Sequence, residues 1–291
     1  MSTCPPLLVP APPLDTYSGG LYSAASPQVP PAGDPHWQCG VMHEVNGCAD
    51  VDVWAETCPP ETPADKPQNY VPAWVTGTPF HAVVGVDCSL PGNTLEQFRQ
   101  RLVNAMTVGA QTTVERVYWT GEQGNRPRLA GPAAADPDAP GEGEVAVLTT
   151  SAVSVADGTS LLESYLASHY KGTGVIHAPA GIATYADSLR LVHGNPGGAL
   201  RTILGTRWAF GRGYEVNTGP GGAAAADGTA WMYATGRVGI WQSEIFLPNE
   251  SDLQAAFDRR TNETNLFVEQ TFVLTHECVT AAVQVTASCD C

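Results

Sequence analysis

Lysine is nearly absent from this chain: Lys66 and Lys171 are the two among 291 residues. The positive charge is therefore almost all arginine, and 14 basic residues face 29 acidic ones for a formal net charge of -15. Such a chain offers no broad basic surface on which to grip nucleic acid. An acidic wall could still enclose it, because repulsion leaves the polymer free to move. Long apolar runs are also missing, which excludes a membrane-spanning helix. The N-terminus shows neither the basic segment nor the long apolar core of a secretory leader. No GxSxG elbow occurs to carry a nucleophile. The glycine runs Gly194–Gly198 and Gly219–Gly222 carry no lysine and follow no strand-to-helix pattern, so a phosphate-binding loop is not expected. Cysteine is missing between Cys88 and Cys278.

The cysteines that are present sit towards the two ends: Cys4, Cys39, Cys48, Cys58, Cys88, Cys278, Cys289 and Cys291. Eight allow 105 pairings, so connectivity is not readable. The count favours an oxidising final environment. Joined to the missing leader, it fits a protein assembled in a cytoplasm and released by lysis. Cys39, His43, Cys48 and Cys58 follow no standard zinc-finger spacing, so disulfides or free buried thiols are expected there and a metal is not. Cys289 and Cys291 could reach a partner chain or form a loose tail. His177, at a strand end in GVIHAP, reads as a satisfied structural histidine. Asp136, Asp138, Glu142 and Glu144 read as a solvated charge run. No catalytic constellation, cofactor site or metal site emerges, and the chain is not expected to be an enzyme.

Glycine (30) and proline (24) are plentiful. Residues 1–34 read as an extended polyproline-like arm, apart from any packed element. Residues 35–92 lack helical periodicity and read as a long two-stranded excursion, with strands at Val51–Trp54, Tyr70–Val75 and Pro79–Val86. Asn93–Gly121 is a long helix, with Asn93 as N-cap, Glu96 completing a capping box and Gly121 as the stop. Its apolar stripe runs Leu95, Phe98, Leu102, Met106, Gly109, Thr113 and Val117. Gln97, Arg99, Gln100, Arg101, Gln111 and Arg116 take the other faces. At about 1.5 Å per residue it would span roughly 40 Å. After it come a helix at Thr159–Tyr170, a strand at Gly174–His177 and a short helix at Ala180–Leu189. Strands follow at Leu200–Leu204, Trp208–Phe210, Trp231–Ala234 and Val238–Phe246. A helix at Asp252–Asp258 precedes long alternating strands at Thr264–Leu274 and Ala281–Thr286. Helices and strands mix without regular alternation, so the class is α+β.

The order of these elements resembles the major capsid proteins of tailed bacteriophages, the Hong Kong 97-type fold. GTGVIHAPAGIATYADSLRLV is similar to the strand, turn and short helix that enter the family's axial domain. ALRTILGTRWAFGRGYEV and TAWMYATGRVGIWQSEIFL resemble its returning strands, and LQAAFDRRTNETNLFVEQTFVLTHECVTAAVQV its final helix and strand pair. VERVYWTG is like the spine-helix terminus of actinobacterial phage relatives. The resemblance spans roughly residues 35–288. It implies an N-terminal arm (1–34), an extended loop (35–92), a spine helix (93–121), a peripheral domain (122–172 and 236–291) and an axial domain (173–235). It also implies a shell protein that assembles into hexamers and pentamers around double-stranded DNA, without sequence-specific binding or a membrane. Its place would be the virion, assembled in the host cytoplasm, with portal, scaffolding and decoration proteins as further partners.

The short proline-rich arm departs from members that carry a helical scaffolding segment ahead of it. Some members cross-link through Lys and Asn; Lys66 with Asn262 or Asn265 is the pair this sequence offers. Trp37, Trp54 and Trp74 are candidate anchors between subunits. Trp54→Ala, or removal of residues 1–34, is expected to impair assembly more than folding. Two alternatives stand beside this reading: an encapsulin-like nanocompartment shell, and a secreted disulfide-rich binding or hydrolase domain.

Overall fold

Thr94 opens the longest helix. Its hydroxyl accepts the Gln97 amide at 3.2 Å, and its own amide donates to the Gln97 side chain at 2.8 Å. The capping box is thus one residue further along than Asn93 and Glu96 suggested, with Thr94 as the cap and Gln97 as its partner. The helix ends at Gly121, in left-handed conformation (φ 73°), where the amide bonds the Val117 carbonyl at 2.8 Å. Glycine adopts that conformation without steric penalty.

The structure, a computed structural model, describes residues 16–28, 35–45, 47–53, 72–89, 94–131, 145–194, 198–247, 257–258, 260 and 263–287. In chain order they form α1 (Leu21–Ala24), β1 (Ser26–Gln28), β2 (Val41–Val45), β3 (Ala73–Gly77), β4 (Pro79–Ser89), α2 (Leu95–Thr120) and β5 (Ala146–Val147). Then follow α3 (Val155–His169), β6 (Val175–Pro179), α4 (Ile182–Ser188), β7 (Arg207–Gly211), β8 (Thr229–Thr235) and β9 (Val238–Gln242). The described chain ends with β10 (Phe257–Asp258), β11 (Glu263–His276) and β12 (Thr280–Thr286).

Two sheets result. In the first, β11 pairs antiparallel with β4 from Glu263 to Val273, and with β9 over its last five residues. β1 adds in parallel to β9. The second has the order β5-β12-β8-β6-β7. The short turn from β11 into β12 carries the chain from one sheet to the other. α2 packs its Phe98, Leu102 and Met106 stripe on the first sheet, in a core that includes Phe80, Leu266, Val268 and Phe272. α3 covers the second sheet with Leu162 and Leu166, over Ile176, Met232 and Val283. β2 and β3 form a separate two-stranded ribbon. Its inner face lies on the first sheet, with His43 Nε2 3.1 Å from Thr275 Oγ1.

Several expectations are corrected. Residues 51–53 are exposed and form no strand. Leu200–Leu204 forms no strand: Arg201 makes isolated bridges to His193 and Arg207, and its side chain bonds the Gly205 carbonyl across a turn. Of Asp252–Asp258, only 257–258 are described, and they are strand. The first 34 residues are not all apart from the body. Leu21, Ala24 and Ala25 are buried against α2 and β7, and Phe210 donates its amide to the Gly19 carbonyl at 2.8 Å. On α2 the narrow stripe describes the N-terminal half. From Ala110 onward the buried set widens to include Gln111, Val114, Glu115, Tyr118 and Trp119, since segment 17–25 and the turn at Gly213–Val216 enclose the helix on further sides.

Candidate assembly surfaces and the buried joints behind them

The first joint is Glu115, fully buried although its neighbours on α2 look polar. Its Oε1 accepts the Leu21 amide at 2.8 Å and faces the Gln111 side-chain amide at 3.5 Å. Its Oε2 accepts the Gly213 amide at 3.0 Å and the Tyr17 hydroxyl. Burial pushes this carboxyl above its ordinary range, while the four donors pull it back down. Desolvation and the nearby Glu115 also push the Tyr17 phenol well above its usual value, so its proton stays in place. Arg212 stacks over the Tyr17 ring at 4.4 Å and gives its amide to the Tyr17 oxygen at 3.2 Å. Gly213 allows the approach: a β-carbon there would run into the Thr112 carbonyl and the Arg116 amide of α2. One carboxylate thereby ties together three segments from distant parts of the chain.

A second joint is aromatic. Trp119 is fully buried, with the Tyr214 and Tyr233 rings each 4.9 Å away, and its indole N–H donates to the Thr218 carbonyl at 3.0 Å. His177 lies beside it, completely enclosed. The Thr235 hydroxyl spends its proton on the Gly236 carbonyl, so it must accept from His177 Nε2–H at 2.9 Å. Nδ1 is then left to accept from the Tyr214 hydroxyl at 3.1 Å. Burial holds this imidazole well below its ordinary pKa, so it is neutral. His276 bonds Tyr118 and Thr280 at 2.9 and 3.0 Å, and burial lowers it to about 4. Every polar ring atom of both histidines is engaged with protein, which suits a structural role. Among the described residues, no group of three or more His, Cys, Asp or Glu is placed to hold a metal ion. Nor is any described helix long and apolar enough to cross a membrane.

Among the exposed apolar side chains of the described residues, two pairs sit together on ordered elements. On the ribbon, Glu44 pairs with Trp74 and Met42 with Thr76, which puts Met42 and Trp74 on one face, 63% and 57% exposed. At the turn 202–206, Ile203 is 85% and Leu204 73% exposed. That turn is braced: Thr202 and Gly205 close it through backbone bonds of 2.8 and 3.0 Å, and the hydroxyls of Thr202 and Thr206 both donate to Glu163 on α3. The run ILG reads as strand in sequence, and that apolar signal hid the turn.

Of the remaining candidates, Cys48 and Cys278 form a disulfide across a separation of 230 residues, while Cys39 is exposed with a free thiol. A zinc set containing Cys48 is thereby excluded, and a buried thiol at Cys39 is corrected. Cys88 lies on β4 opposite Thr264. Trp37 is half-buried in a short helical turn, and Asn265 is exposed on β11. Cys4, Trp54, Cys58, Lys66, Asn262, Cys289 and Cys291, and with them the Lys–Asn pair, lie outside the described residues. Glu115 is the functional joint that sequence reasoning missed.

No protein-family model and no curated protein matches this sequence. Solved structures do. The capsid of a native GTA particle, computed with C5 symmetry, aligns over 98% of this chain and 95% of its own, with a TM-score of 0.57 and 11% identity. The capsid of Ralstonia phage GP4 aligns over 99% and 96%, with a TM-score of 0.52 and 10% identity. A structure from Mycobacterium phage Ogopogo aligns over 97% of both chains, with a TM-score of 0.50 and 16% identity. The chain has the α+β fold of phage capsid proteins.

Proposed function

We propose that this chain is a major capsid protein, a structural subunit without catalytic activity that self-assembles into hexamers and pentamers and closes a shell around double-stranded DNA. The single observation that carries the reading is the alignment of nearly the whole chain, 98%, on a capsid whose own chain is covered to 95%. A fragmentary match would leave the shell-forming parts unaccounted for. The surfaces agree with it. The chain exposes apolar side chains on a rigid turn and a ribbon, and preorganised apolar groups lose little freedom on docking.

In this reading, the part of residues 35–92 that precedes β4 reaches a neighbouring subunit, with Trp37, Trp54 and Trp74 as anchors, while β4 itself belongs to the body. Residues 173–235 meet their copies around the local symmetry axis through Ile203 and Leu204. The net charge of -15 keeps enclosed DNA from adhering to the wall. Portal, scaffolding and decoration proteins are further partners. The experiment is negative-stain electron microscopy of the purified chain, alone and co-expressed with its genomic neighbours. Closed shells or five- and six-fold rings are expected, and a uniform monomer in both preparations would overturn the reading. Shells that enclose protein instead of DNA would reassign the chain to a nanocompartment.

A further inference from the structure

The residues around Cys48 form a limb held to the body by the disulfide, by a backbone bond from Lys171 and by the fit of Gly47 against Tyr170 and Glu277. Cys48 is half-buried against the second core and Cys278 is exposed in the turn between β11 and β12, so the disulfide between them lies at the surface, open to a thiol reagent. Cys278 itself sits in left-handed conformation (φ 44°), in a turn tied to the body where the Glu277 amide donates to the Arg237 carbonyl at 3.1 Å. On the limb side, the Gly47 carbonyl accepts the Lys171 amide at 2.6 Å, and Asp50 pairs with Lys171 at 3.5 Å between exposed side chains. An exposed pair of that kind contributes little. Beyond Asp50 the chain leaves the surface: Val51 and Val53 are 91% and 94% exposed. Before Gly47, the ribbon rests on the first sheet through the His43–Thr275 contact and the close seat of Gly77 on the Leu274 carbonyl.

We propose that Cys48 and Cys278 are a redox-operated strap. In the dithiol state, the limb 47–53 and the β2–β3 ribbon lift from the β9–β11 face; in the disulfide state they are held down. Closure joins the two sulfurs and releases two protons and two electrons. A small-molecule disulfide such as oxidised glutathione accepts them and becomes two thiols. The step needs no movement of the body, because the Cys278 side of the bond lies in a turn tied to it by the Glu277–Arg237 backbone bond. It is independent of the shell reading: a strap of this kind would operate in a monomer.

Hydrogen exchange of the full chain tests it, in a Cys39→Ser background that removes the exposed free thiol. Three samples are compared: air-oxidised, reduced with a phosphine, and reduced then returned to oxidised glutathione. Reduction should speed exchange tenfold or more at residues 41–45, 47–53 and 73–77, leave β8 and β12 unchanged, and be reversed by oxidised glutathione. Cys48→Ser should match the reduced sample in either buffer, and the unchanged β8 and β12 would show that it folds. Equal exchange of the ribbon in all samples would overturn the proposal. So would peptide mapping of the oxidised chain that finds Cys48 bonded to any cysteine other than Cys278.

Discussion

At the scale of single residues, the buried polar groups decide most. Glu115→Ala would leave the Leu21 and Gly213 amides and the Tyr17 hydroxyl without an acceptor inside the protein. At about 1–3 kcal/mol for each buried donor stranded, partly relieved by entering water, a loss of about 2–4 kcal/mol in chemical denaturation is expected. The histidines set a pH dependence. An unfolded imidazole titrates near 6.5, whereas folded His276 does so at about 4 and burial holds folded His177 well below its ordinary value. Below 6.5 the unfolded chain binds more protons, so their contribution is complete above that value and shrinks as pH falls towards 4. The urea midpoint should drop over that window, and His276→Gln should flatten the drop relative to the wild type. Glu115 was not legible in the sequence. A glutamate beside Arg116 and near Gln111 reads as one more solvated side chain, and the groups that bury it stand nearly a hundred positions away. His177 was legible, because an enclosed strand followed by Pro179 leaves a histidine little to do except satisfy its own nitrogens.

At the scale of elements, α2 shows where a period is enough and where it is not. Phe98, Leu102 and Met106 recur at helical spacing and are buried as read. Past Ala110 the stripe fails, since burial there comes from non-local segments that no local pattern encodes. The strands β6, β8, β11 and β12 were legible through their apolar and alternating runs. The turn at 202–206 was not, because its two aliphatic side chains point away from the body. The capping box makes a separate prediction: Thr94→Ala should cost about 1 kcal/mol, measured by thermal or urea denaturation. The braced turn makes another. Leu204→Asp should leave the far-ultraviolet spectrum and melting temperature of the subunit nearly unchanged, since a 73% exposed side chain contributes little to the fold. The same variant should reduce closed particles on electron-microscope grids at least tenfold. Normal shells from this variant would remove Ile203 and Leu204 from the assembly contact.

At the scale of the whole molecule, the N-terminal segment is woven into the body. Deletion of residues 1–15 spares the Tyr17–Glu115 bond and Leu21. Deletion of 1–28 removes both, along with the Arg207 bonds to the Ala24 and Ala25 carbonyls at 2.9 and 3.3 Å. The shorter deletion should yield soluble, cooperatively melting protein, and the longer one should yield little or none. The segment from Tyr17 to Ala25 thus serves the fold, which the proline content of residues 1–34 concealed.

The pairing of β4 with β11 gives the subunit a mechanical direction. The excursion enters the body through β3 and Thr78 directly into β4, and β4 lies against β11 over eleven consecutive positions. A pull on the excursion along β4 therefore loads this ladder in shear, and its hydrogen bonds share the force and must yield together. A pull across the sheet would peel them one pair at a time. The subunit is accordingly stiff to tension along these strands and compliant to a pull across them.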